Sequence, residues 1–573
     1  MFNSTVKVAY VMSSNCILQR RPVSDRALSL KSSQPGLTDL EAQVLAARGA
    51  RAGTLTLPAL LRTPLSDLEV GGRRLFDAIQ RRERIVVVAD YDCDGATACA
   101  VAVVGLRALG ANIGYVVPDR MVHGYGISPS VVDLARDRYS DARVLMTVDN
   151  GILGHAGITY AASLGLDVVV TDHHLPGETL PDALAIIDPS RADCPSGLAK
   201  LAGVGVALWL VVMVKKLLTQ AGLDTPALNF LLPYVAVGTV ADMVALDAPN
   251  RALVALGLDR MRLGQAPVGL AALIKEAGFP AKYMTTQDIG FGLGPRINAA
   301  GRLDTMDAGI ELLLSQDPKQ ARKLARLLTE TNEERKRLQK EATDDASMVL
   351  DFTFQDDMRA IVRGNADWHP GIVGLVASRL KDAYHRPTFI FSLADGYAKG
   401  SGRSIPGFHL KDALEEVARR QPGLLAKFGG HAMAAGATLS SAAALEGFEQ
   451  VFTQVASERI TPSMLNNTLY SDGPMPTLSL EAAARLLRHP WGQGFEAPAF
   501  DDCAIIHAVK PLGGSGLHWR VEACIGGRSE RTTVVLFNQP EPPSGQEIQL
   551  YLQPGLNTFR DQTKLQWLGR VLH

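Results

Sequence analysis

Four short apolar segments dominate the pattern of hydrophobic and polar positions in the first third of the chain. They occupy residues 85–89, 144–148, 166–170 and 183–187. Each is short, rich in β-branched residues and nearly free of polar ones, which is typical of strands buried on both faces of a sheet. Helical segments such as residues 131–138 lie between some of them. The alternation predicts an α/β fold with a parallel sheet.

The rest of the chain divides into segments of different character. Residues 23–80 carry Leu and Arg at helical spacing, and residues 317–350 are highly charged, with Leu324, Leu327 and Leu328 on one stripe. The charged segment predicts a long, largely solvated helix that bridges two domains. Gly-rich turns interrupt a second, smaller α/β unit at 358–456. Five short β-rich segments follow, at 502–509, 518–524, 532–537, 547–552 and 564–568, and they predict a small β-barrel.

Length and composition narrow the class of protein. The chain has 573 residues, which is enough for several domains. Of these residues, 47% are hydrophobic and 20% are charged, and this composition excludes a mainly disordered, collagenous or coiled-coil protein. The net charge of -1 gives no global sign of nucleic-acid binding. Six cysteines without CxxC spacing indicate a reduced, cytoplasmic protein.

Two further segments bear on location. The apolar run at residues 204–214 ends at Lys215 and is shorter than the ~18 residues that a membrane span needs, so it predicts a buried core helix and no membrane association. The first twelve residues show no secretory signal, and residues 1–16 are expected to be a disordered extension.

Acidic and histidine residues follow each of the four predicted strands. In chain order they are Asp90, Asp92 and Asp94; Asp149; Asp172, His173 and His174; and Asp188. Because the carboxyl ends of parallel strands meet at one edge of a sheet, these side chains are expected to converge. A mixture of carboxylate and imidazole ligands suits Mn²⁺, and Mg²⁺ can replace it at the carboxylates. The number of ligands is sufficient for two ions, which predicts hydrolysis by a two-metal mechanism. A single acidic turn is more often a calcium-binding loop or a plain loop. The occurrence of acidic and histidine residues after several successive strands favours a catalytic metal site.

The order of these motifs resembles the DHH phosphoesterase superfamily. The motifs are DYDCDG at 90–95, DNG at 149–151, DHH at 172–174 and GTVAD at 238–242. GPRINAAGR at 294–302, WHPGIVG at 368–374, SGRS at 401–404 and GGHA at 429–432 follow. The full series is similar to the RecJ family of exonucleases, which degrade single-stranded DNA from the 5′ end, over roughly residues 80–440.

The resemblance implies a role for each matching residue. The implied metal ligands are Asp92, Asp94, Asp149, His173 and Asp242, with Asp149 in the bridging position. His174 would lie beside the metals and the scissile phosphate, and Asp90 and Asp172 would orient the ligands from behind. Relatives that begin the first motif with a metal-binding histidine would carry it at Val88, and this chain lacks it. Asp242 is singled out by the resemblance alone.

The second α/β unit resembles the substrate-binding DHHA1 domain. There Ser401 and Arg403 match residues that hold a 5′-terminal phosphate, Arg302 is expected to join them, and Gly430 and His431 would line the cleft. A guanidinium binds phosphate through two hydrogen bonds, and Gly-rich turns let backbone N–H groups approach it. A terminal phosphate held beside the metals would fix the polarity and the register of cleavage.

The resemblance also implies a domain order. It comprises an N-terminal extension with a helical segment at 1–75, a DHH catalytic domain at 76–310, a connecting helix at 311–352, a DHHA1 domain at 353–458 and an OB-fold at 462–573. OB-folds bind single strands with basic and aromatic side chains. The barrel offers Trp519, Arg520, Phe537, Tyr551, Phe559, Arg560, Lys564 and Trp567, most of which are expected to be core.

The resulting hypothesis is a Mn²⁺- or Mg²⁺-dependent 5′→3′ exonuclease that releases 5′-mononucleotides from single-stranded DNA during recombination and repair. It would act as a monomer, and the resemblance implies a single-stranded-DNA-binding protein and a helicase as partners. Three alternatives stay open: a DHH phosphodiesterase for oligoribonucleotides or cyclic dinucleotides, a manganese pyrophosphatase, and a non-catalytic replication scaffold resembling Cdc45. The C-terminal barrel argues against the small-substrate phosphodiesterase, and the absence of a histidine at Val88 argues against the pyrophosphatase. The intact acidic motifs argue against the non-catalytic scaffold.

Overall fold

The computed structural model of the chain describes residues 16–573, except for Thr54, Arg120, Met121, Asp356, Ser515, Asp561 and His573. The disorder expected for residues 1–16 therefore falls outside the described range, apart from Cys16. The chain divides into two compact units. The sheet unit comprises Ser24–Asn332 and Leu480–Ala497, and the barrel unit comprises Met1–Val23, Glu333–Ser479 and Pro498–His573.

Four helices open the sheet unit, as the spacing of residues 23–80 predicts. After strand β1 (Cys16–Arg20), which belongs to the barrel unit, they are α1 (Arg26–Ser33), α2 (Asp39–Ala47), α3 (Leu57–Leu60) and α4 (Leu68–Gln80). Helix α2 begins with a capping box, in which the Thr38 hydroxyl accepts from the Glu41 N–H and the Glu41 carboxylate accepts from the Thr38 N–H. These bonds satisfy backbone donors that a helix N-terminus leaves free.

A five-stranded parallel sheet forms the core of the sheet unit. Its strands are β2 (Arg84–Ala89), β3 (Asn112–Val116), β4 (Ala142–Val148), β5 (Asp167–Thr171) and β6 (Ala185–Ile187), in the spatial order β3-β2-β4-β5-β6. Four of them are the predicted strands. The sequence pattern does not predict strand β3, because the polar residue Asn112 and the glycine Gly114 interrupt its apolar run. Val148, the last residue of β4, pairs with Ala89, the last residue of β2, and with Thr171, the last residue of β5. The loops that follow these three strands therefore start side by side.

Helices α5 (Cys93–Ala108), α6 (Pro129–Arg138), α7 (His155–Ser163) and α8 (Gly203–Gln220) follow in the same region. Helix α8 is long and apolar enough to cross a membrane by length and composition, but 67% of its apolar window is buried inside the protein. This confirms the prediction of a buried core helix at residues 204–214.

Six further helices complete the N-terminal part of the sheet unit. They are α9 (Leu232–Ala241), α10 (Ala248–Arg262), α11 (Val268–Glu276), α12 (Thr286–Asp288), α13 (Gly294–Leu303) and α14 (Asp307–Leu314). A π-helical turn, Ile289–Leu293, leads directly into α13.

The long connecting helix α15 extends over Pro318–Thr353. Its existence confirms the prediction from the charged segment, and about half of its described residues are exposed, but the helix also has a buried face that was not expected. The buried face includes Leu328, which is 1% exposed. It also includes polar residues such as Asn332 and Ser347, each 1% exposed, whose burial no sequence pattern predicts. Leu327, expected on the apolar stripe, is 46% exposed.

The barrel unit begins with a second α/β layer. It contains β7 (Ile361–Asn365), α16 (Val373–Tyr384), β8 (Thr388–Ser392), β9 (Ala398–Arg403), α17 (Leu410–Arg420), β10 (Leu425–Gly430), β11 (Ala434–Leu439) and α18 (Leu445–Arg459). The strands form one sheet in the order β10-β11-β9-β8-β7. Phe389, Phe391, Phe448 and Phe452 are fully buried at its centre. The predicted second α/β unit is confirmed.

A closed barrel ends the chain. After β12 (Asn467–Ser471) and α19 (Leu480–Leu487), its strands are β13 (Phe500–Pro511), β14 (Trp519–Ile525), β15 (Arg531–Leu536), β16 (Glu547–Phe559) and β17 (Gln562–Leu572). They close in the order β13-β14-β15-β17-β16. All five predicted β-rich segments are strands of this barrel.

Two contacts join parts of the chain that are far apart in sequence. Within the barrel unit, β1 pairs in parallel with β12, and Arg20 donates two hydrogen bonds to the buried carboxylate of Asp501. Within the sheet unit, the return segment Leu480–Ala497 packs on the N-terminal helices. There Arg485 forms an ion pair with Glu41 at 3.0 Å.

Candidate metal centre

The predicted convergence of acidic and histidine side chains is present at the carboxyl edge of the sheet. Their ligand atoms form three groups, each with all atoms within 4.8 Å of one another: Asp149, His173 and His174; Asp94, His173 and Asp242; and Asp90, Asp92 and Asp149. Asp149 and His173 each belong to two groups. The cluster therefore combines loops after β2, β4 and β5 with the C-terminal end of α9.

His173 lies at the centre of this cluster. Its Nε2 atom is 3.1 Å from Asp149 Oδ1, 3.8 Å from Asp242 Oδ2 and 3.9 Å from Asp94 Oδ2. Burial and the neighbouring His174 lower the pKa of His173 to about 4. The imidazole is therefore neutral at pH 7, which is the form that binds a metal.

A strained turn presents Asp149. Its φ of 60° lies in the left-handed region, which a non-glycine residue adopts at a cost. Asn150 holds the turn by donating to the carbonyl oxygens of Val88 and Val148, and the Tyr125 hydroxyl donates to the Asp149 carbonyl oxygen at 3.1 Å. The hydrogen bonds around the turn thus fix the direction of the Asp149 carboxylate.

The N-terminus of helix α8 holds Asp94. The two carboxylate oxygens of Asp94 accept hydrogen bonds from the Gly203 and Val204 N–H groups at 2.7 and 2.9 Å. A helix N-terminus carries partial positive charge and stabilises an anion. Gly203 also allows close approach, since a Cβ there would lie 2.8 Å from Asp149 Oδ1.

Asp172 connects the two histidines to the neighbouring loop. Its Oδ1 atom accepts from the His174 Nδ1 at 2.7 Å and from the His173 N–H at 2.8 Å, and its Oδ2 atom accepts from the Ile152 N–H at 2.9 Å. This is the geometry of a residue that orients ligands from behind. Burial alone would lower the pKa of His174, but the hydrogen bond to Asp172 outweighs it and raises the pKa to about 9.

The crowding of carboxylates provides a test of whether a cation fits. Burial, followed by repulsion from neighbouring carboxylates, raises the pKa values of Asp90, Asp94 and Asp149 well above the ordinary range, and that of Asp242 to about 7. Buried Asp90 Oδ1 and Asp149 Oδ1 have no hydrogen-bond donor in the described part of the chain. Unpartnered oxygens and a neutral imidazole in one cluster fit Mn²⁺ or Mg²⁺. Asp90 lies within the cluster itself, so it is also a candidate ligand.

Two residues beside the cluster were not singled out from the sequence. Asn298 Oδ1, on α13, accepts a hydrogen bond of 2.8 Å from the Cys93 N–H, and the Tyr125 ring packs edge-on to His174 with centroids 5.8 Å apart. Asn298 lies in the quoted motif at 294–302, which was its only signal. Nothing in the sequence connects Tyr125 with the DHH motif.

The predicted phosphate-binding residues lie in both units. Arg302 is half-buried on α13 of the sheet unit. In the barrel unit, Arg403 Nη1 donates to Ser401 Oγ at 2.9 Å on strand β9. A Cβ on Gly374, in the first turn of α16, would lie 3.0 Å from both of these side chains, so they lie against a helix N-terminus, a favourable place for an anion.

Gly430 and His431 form the turn between β10 and β11. Gly430 has a φ of 139° and the His431 N–H donates to the Ala434 carbonyl oxygen. Ala434 pairs with Arg403 in the antiparallel ladder of β11 and β9. The turn is therefore close to Arg403.

Three family models match successive parts of the chain. They are the DHH family N-terminal domain at residues 84–239, the DHHA1 domain at 357–458 and the RecJ OB domain at 472–570. The order and kind of these matches agree with the predicted fold class.

Similar proteins cover nearly the whole chain. The single-stranded-DNA-specific exonuclease RecJ of Salmonella typhimurium is 41% identical over 568 residues, covering 96% of this chain and 97% of the relative. The protein of the same description from Escherichia coli is 42% identical over 521 residues, covering 88% and 89%.

Solved structures agree with the sequence comparison. The structure of RecJ from Thermus thermophilus in complex with Mn²⁺ matches with a TM-score of 0.78 at 28% identity, covering 96% of this chain and 78% of that one. Its counterpart in complex with Mg²⁺ matches with a TM-score of 0.73 at 26% identity, covering 96% and 77%. The chain therefore belongs to the RecJ family of DHH phosphoesterases.

Proposed function

We propose that the protein is an exonuclease specific for single-stranded DNA, which hydrolyses phosphodiester bonds in the 5′→3′ direction, releases 5′-mononucleotides and serves DNA recombination and repair. The observation that carries the proposal is the complete acidic and histidine cluster at the carboxyl edge of the sheet. Its presence in a chain that also contains DHHA1 and OB domains favours a polymeric substrate.

The cluster would hold two Mn²⁺ or Mg²⁺ ions. Asp92, Asp94, Asp149, His173 and Asp242 are the proposed ligands. The family resemblance implies that Asp149 would be the ligand shared by the two ions. When bound, such ions activate a water molecule and neutralise charge on the attacked phosphoryl group. Asp172 would orient the ligands through its hydrogen bonds to the two histidines. Asp90, which belongs to the group with Asp92 and Asp149, would orient them as well or bind an ion itself.

His174 is the proposed catalytic residue beside the scissile phosphate, together with Asp149. Asp172 accepts a hydrogen bond from the Nδ1 atom of His174 and raises the pKa of the ring to about 9 despite burial, which favours the ring with protons on both nitrogens. A third of the side chain is exposed. The imidazolium therefore offers a charged donor to a phosphoryl oxygen.

A separate phosphate site would set the polarity of cleavage. Ser401, Arg403, Gly430 and His431 present a hydroxyl, a guanidinium and a glycine turn beside the N-terminus of α16, and Arg302 would add a second guanidinium. A monoester phosphate at the 5′ end carries more charge than an internal phosphodiester. A site that requires a monoester phosphate would exclude internal linkages and would bind only a phosphorylated terminus, such as the 5′ end.

The barrel would also bind the single strand. Phe537 and Phe559 are 49% and 69% exposed, and the Arg560 guanidinium lies 5.1 Å from the Phe559 ring centroid. Exposed aromatic and basic side chains stack on bases and contact the backbone. Trp567, in contrast, is 4% exposed and belongs to the barrel core.

The remaining features of the proposal rest on the family alone. We divide the chain into an N-terminal segment at 1–75, a catalytic DHH domain at 76–310, a connecting helix at 311–352, a DHHA1 domain at 353–458 and an OB-fold at 462–573. The enzyme is proposed to be a cytoplasmic monomer that works with a single-stranded-DNA-binding protein and a helicase.

The test is a digest of a long oligonucleotide with a 5′ phosphate, labelled at either end, in Mn²⁺, in Mg²⁺ and in chelator. We expect metal-dependent release of mononucleotides from the 5′ end, lost in Asp149→Ala and retained in Asp137→Ala, a control at an exposed aspartate of the same unit. An intact long strand beside rapid cleavage of a dinucleotide would move the protein to the small-substrate phosphodiesterases.

A further inference from the structure

Three exposed apolar side chains border the metal cluster. Tyr125, Leu153 and Leu175 are 49%, 59% and 62% exposed. Each lies in a different loop at the carboxyl edge of the sheet: between β3 and α6, between β4 and α7, and after β5. We call these three residues the rim.

Tyr125 is fixed directly on the cluster. Its hydroxyl donates to the Asp149 carbonyl oxygen at 3.1 Å, and its ring packs edge-on to both Tyr91 and His174, with centroids 5.9 and 5.8 Å apart. Two ring contacts and a hydrogen bond leave the tyrosine little rotational freedom. Half of its surface nevertheless faces solvent.

The two leucines are held by the same carboxylate that orients the histidines. Leu153 follows Ile152, whose N–H donates to Asp172 Oδ2, and Leu175 follows His174, whose N–H donates to Asp172 Oδ1. The loops also touch, since Leu153 Cδ2 lies 3.3 Å from the position of a Cβ on Gly177. The rim is therefore positioned by the backbone of the metal cluster.

A substrate phosphate at the cluster places a nucleobase near this rim. The bases on either side of a phosphodiester are attached to it through a single sugar, so they lie within one side chain's reach. A base offers two π-faces, which aromatic side chains stack against and aliphatic side chains cover. In a duplex those faces are hidden between neighbouring base pairs.

We propose that the rim binds one of the two bases that flank the scissile phosphate, with the Tyr125 ring stacked on the base and Leu153 and Leu175 against its edge. The inference rests on the proposed function and deepens it. Recognition of an unstacked base beside the metals makes a single strand a requirement at the site of chemistry, separately from binding at the barrel.

The first experiment compares 5′-phosphorylated oligonucleotides with one abasic position. The abasic nucleotide is placed first, second or sixth from the 5′ end, and release of the first nucleotide is followed in a single turnover. We expect one of the first two placements to lower kcat/KM by about tenfold or more and the sixth to leave it unchanged, because stacking is worth about 1.4 kcal/mol or more per base, which is a factor of ten. Equal rates for all three substrates overturn the proposal.

Variants connect this effect with the rim. Tyr125→Ala is expected to cleave the normal and the abasic substrate at the same reduced rate, whereas Tyr125→Phe, which keeps the ring, restores most of the preference for a base. Leu263→Ala, a control at a leucine that is 72% exposed on the same unit, keeps the wild-type preference. A preference that survives in Tyr125→Ala overturns the assignment.

A binding measurement separates this inference from the proposed function. An oligonucleotide with 2-aminopurine at the sensitive position is titrated with protein in chelator, where no hydrolysis occurs. Quenching of its fluorescence by wild type and Tyr125→Phe, but not by Tyr125→Ala at equal occupancy, supports the rim even if the nuclease assay fails. Equal quenching by all three proteins overturns it.

Discussion

The Asn298 side chain accepts a hydrogen bond of 2.8 Å from the backbone N–H of Cys93. This contact ties α13 to the loop that carries Asp92 and Asp94. Helix α13 approaches the loop closely, since a Cβ on Gly301 would lie 2.0 Å from the Tyr91 carbonyl oxygen. A side chain 205 positions downstream thus fixes the first metal-binding motif in place.

Asn298→Ala removes the acceptor of this hydrogen bond and leaves the Cys93 N–H without it. We expect a loss of about 1 kcal/mol in the free energy of unfolding, and a larger relative loss in activity and Mn²⁺ affinity because the ligand loop is less well held. Calorimetric metal titration and thermal melting measure the two effects separately. Gln287→Ala, at an exposed amide of α12, is the control. Unchanged metal affinity would contradict the positioning role.

Gly203→Ala should damage the metal centre without a change in any predicted ligand. The added Cβ would lie 2.8 Å from the Asp149 carboxylate, so either that carboxylate or the N-terminus of α8 must shift. We expect at least a tenfold loss of metal-dependent hydrolysis, because small displacements of catalytic groups are costly. Gly36→Ala, where no atom lies within 4 Å of the new Cβ, should retain activity. Equal activity of the two variants would show that the cluster tolerates the displacement.

Stability against acid should depend on Glu41. Burial raises the pKa of this carboxyl, but the His489 imidazole at 3.4 Å and the hydrogen bonds from Thr38 and Arg485 outweigh it and lower the pKa to about 2. A lowered folded-state pKa contributes stability above the unfolded value of about 4.3, and this contribution is lost as the pH falls toward 2.

Glu41→Gln should therefore destabilise the protein by about 1–3 kcal/mol at pH 6, and the difference from wild type should shrink between pH 5 and pH 3. Denaturant unfolding across this range measures it, with the exposed Glu276→Gln as control. A difference that stays constant with pH would indicate that the ionisation of Glu41 does not matter.

Metal binding should compete with protons. The pKa of Asp242 is raised to about 7, first by burial and then by Asp92, and burial also raises those of Asp94 and Asp149. At pH 6 the Asp242 carboxyl is therefore largely protonated, and a carboxyl must lose its proton to bind a metal. The rise in melting temperature caused by Mn²⁺ should therefore be larger at pH 8 than at pH 6, with protons released on binding. A rise that is independent of pH would contradict the crowding argument.

The sequence predicted the parts of the fold that depend on local pattern. Apolar runs identified β2, β4, β5 and β6, and the spacing of turns identified the five barrel strands. It did not identify β3, whose run is interrupted by Asn112 and Gly114, or the polar buried face of α15. Whether a polar residue is buried depends on the elements that pack against it in the fold, and the local sequence pattern does not reveal them.

The candidate site divides in the same way. Candidate ligands at strand ends, such as Asp149 and His173, follow from the geometry of a parallel sheet, and their ligand atoms lie together in the structure. Asp242 is at the end of an apolar helix and required the resemblance. Asn298 and Tyr125 act through contacts made across long stretches of chain, and no spacing rule connects them with the cluster.

The parallel pairing of β1 with β12 has a consequence for biosynthesis. Cys16 pairs with Asn467, so the partner of this strand is still untranslated when most of the chain has left the ribosome. At roughly 5–20 residues per second, about half a minute or more passes before the pairing can form. During that time the backbone groups of β1 have no strand to pair with, which makes the nascent chain a candidate for chaperone binding.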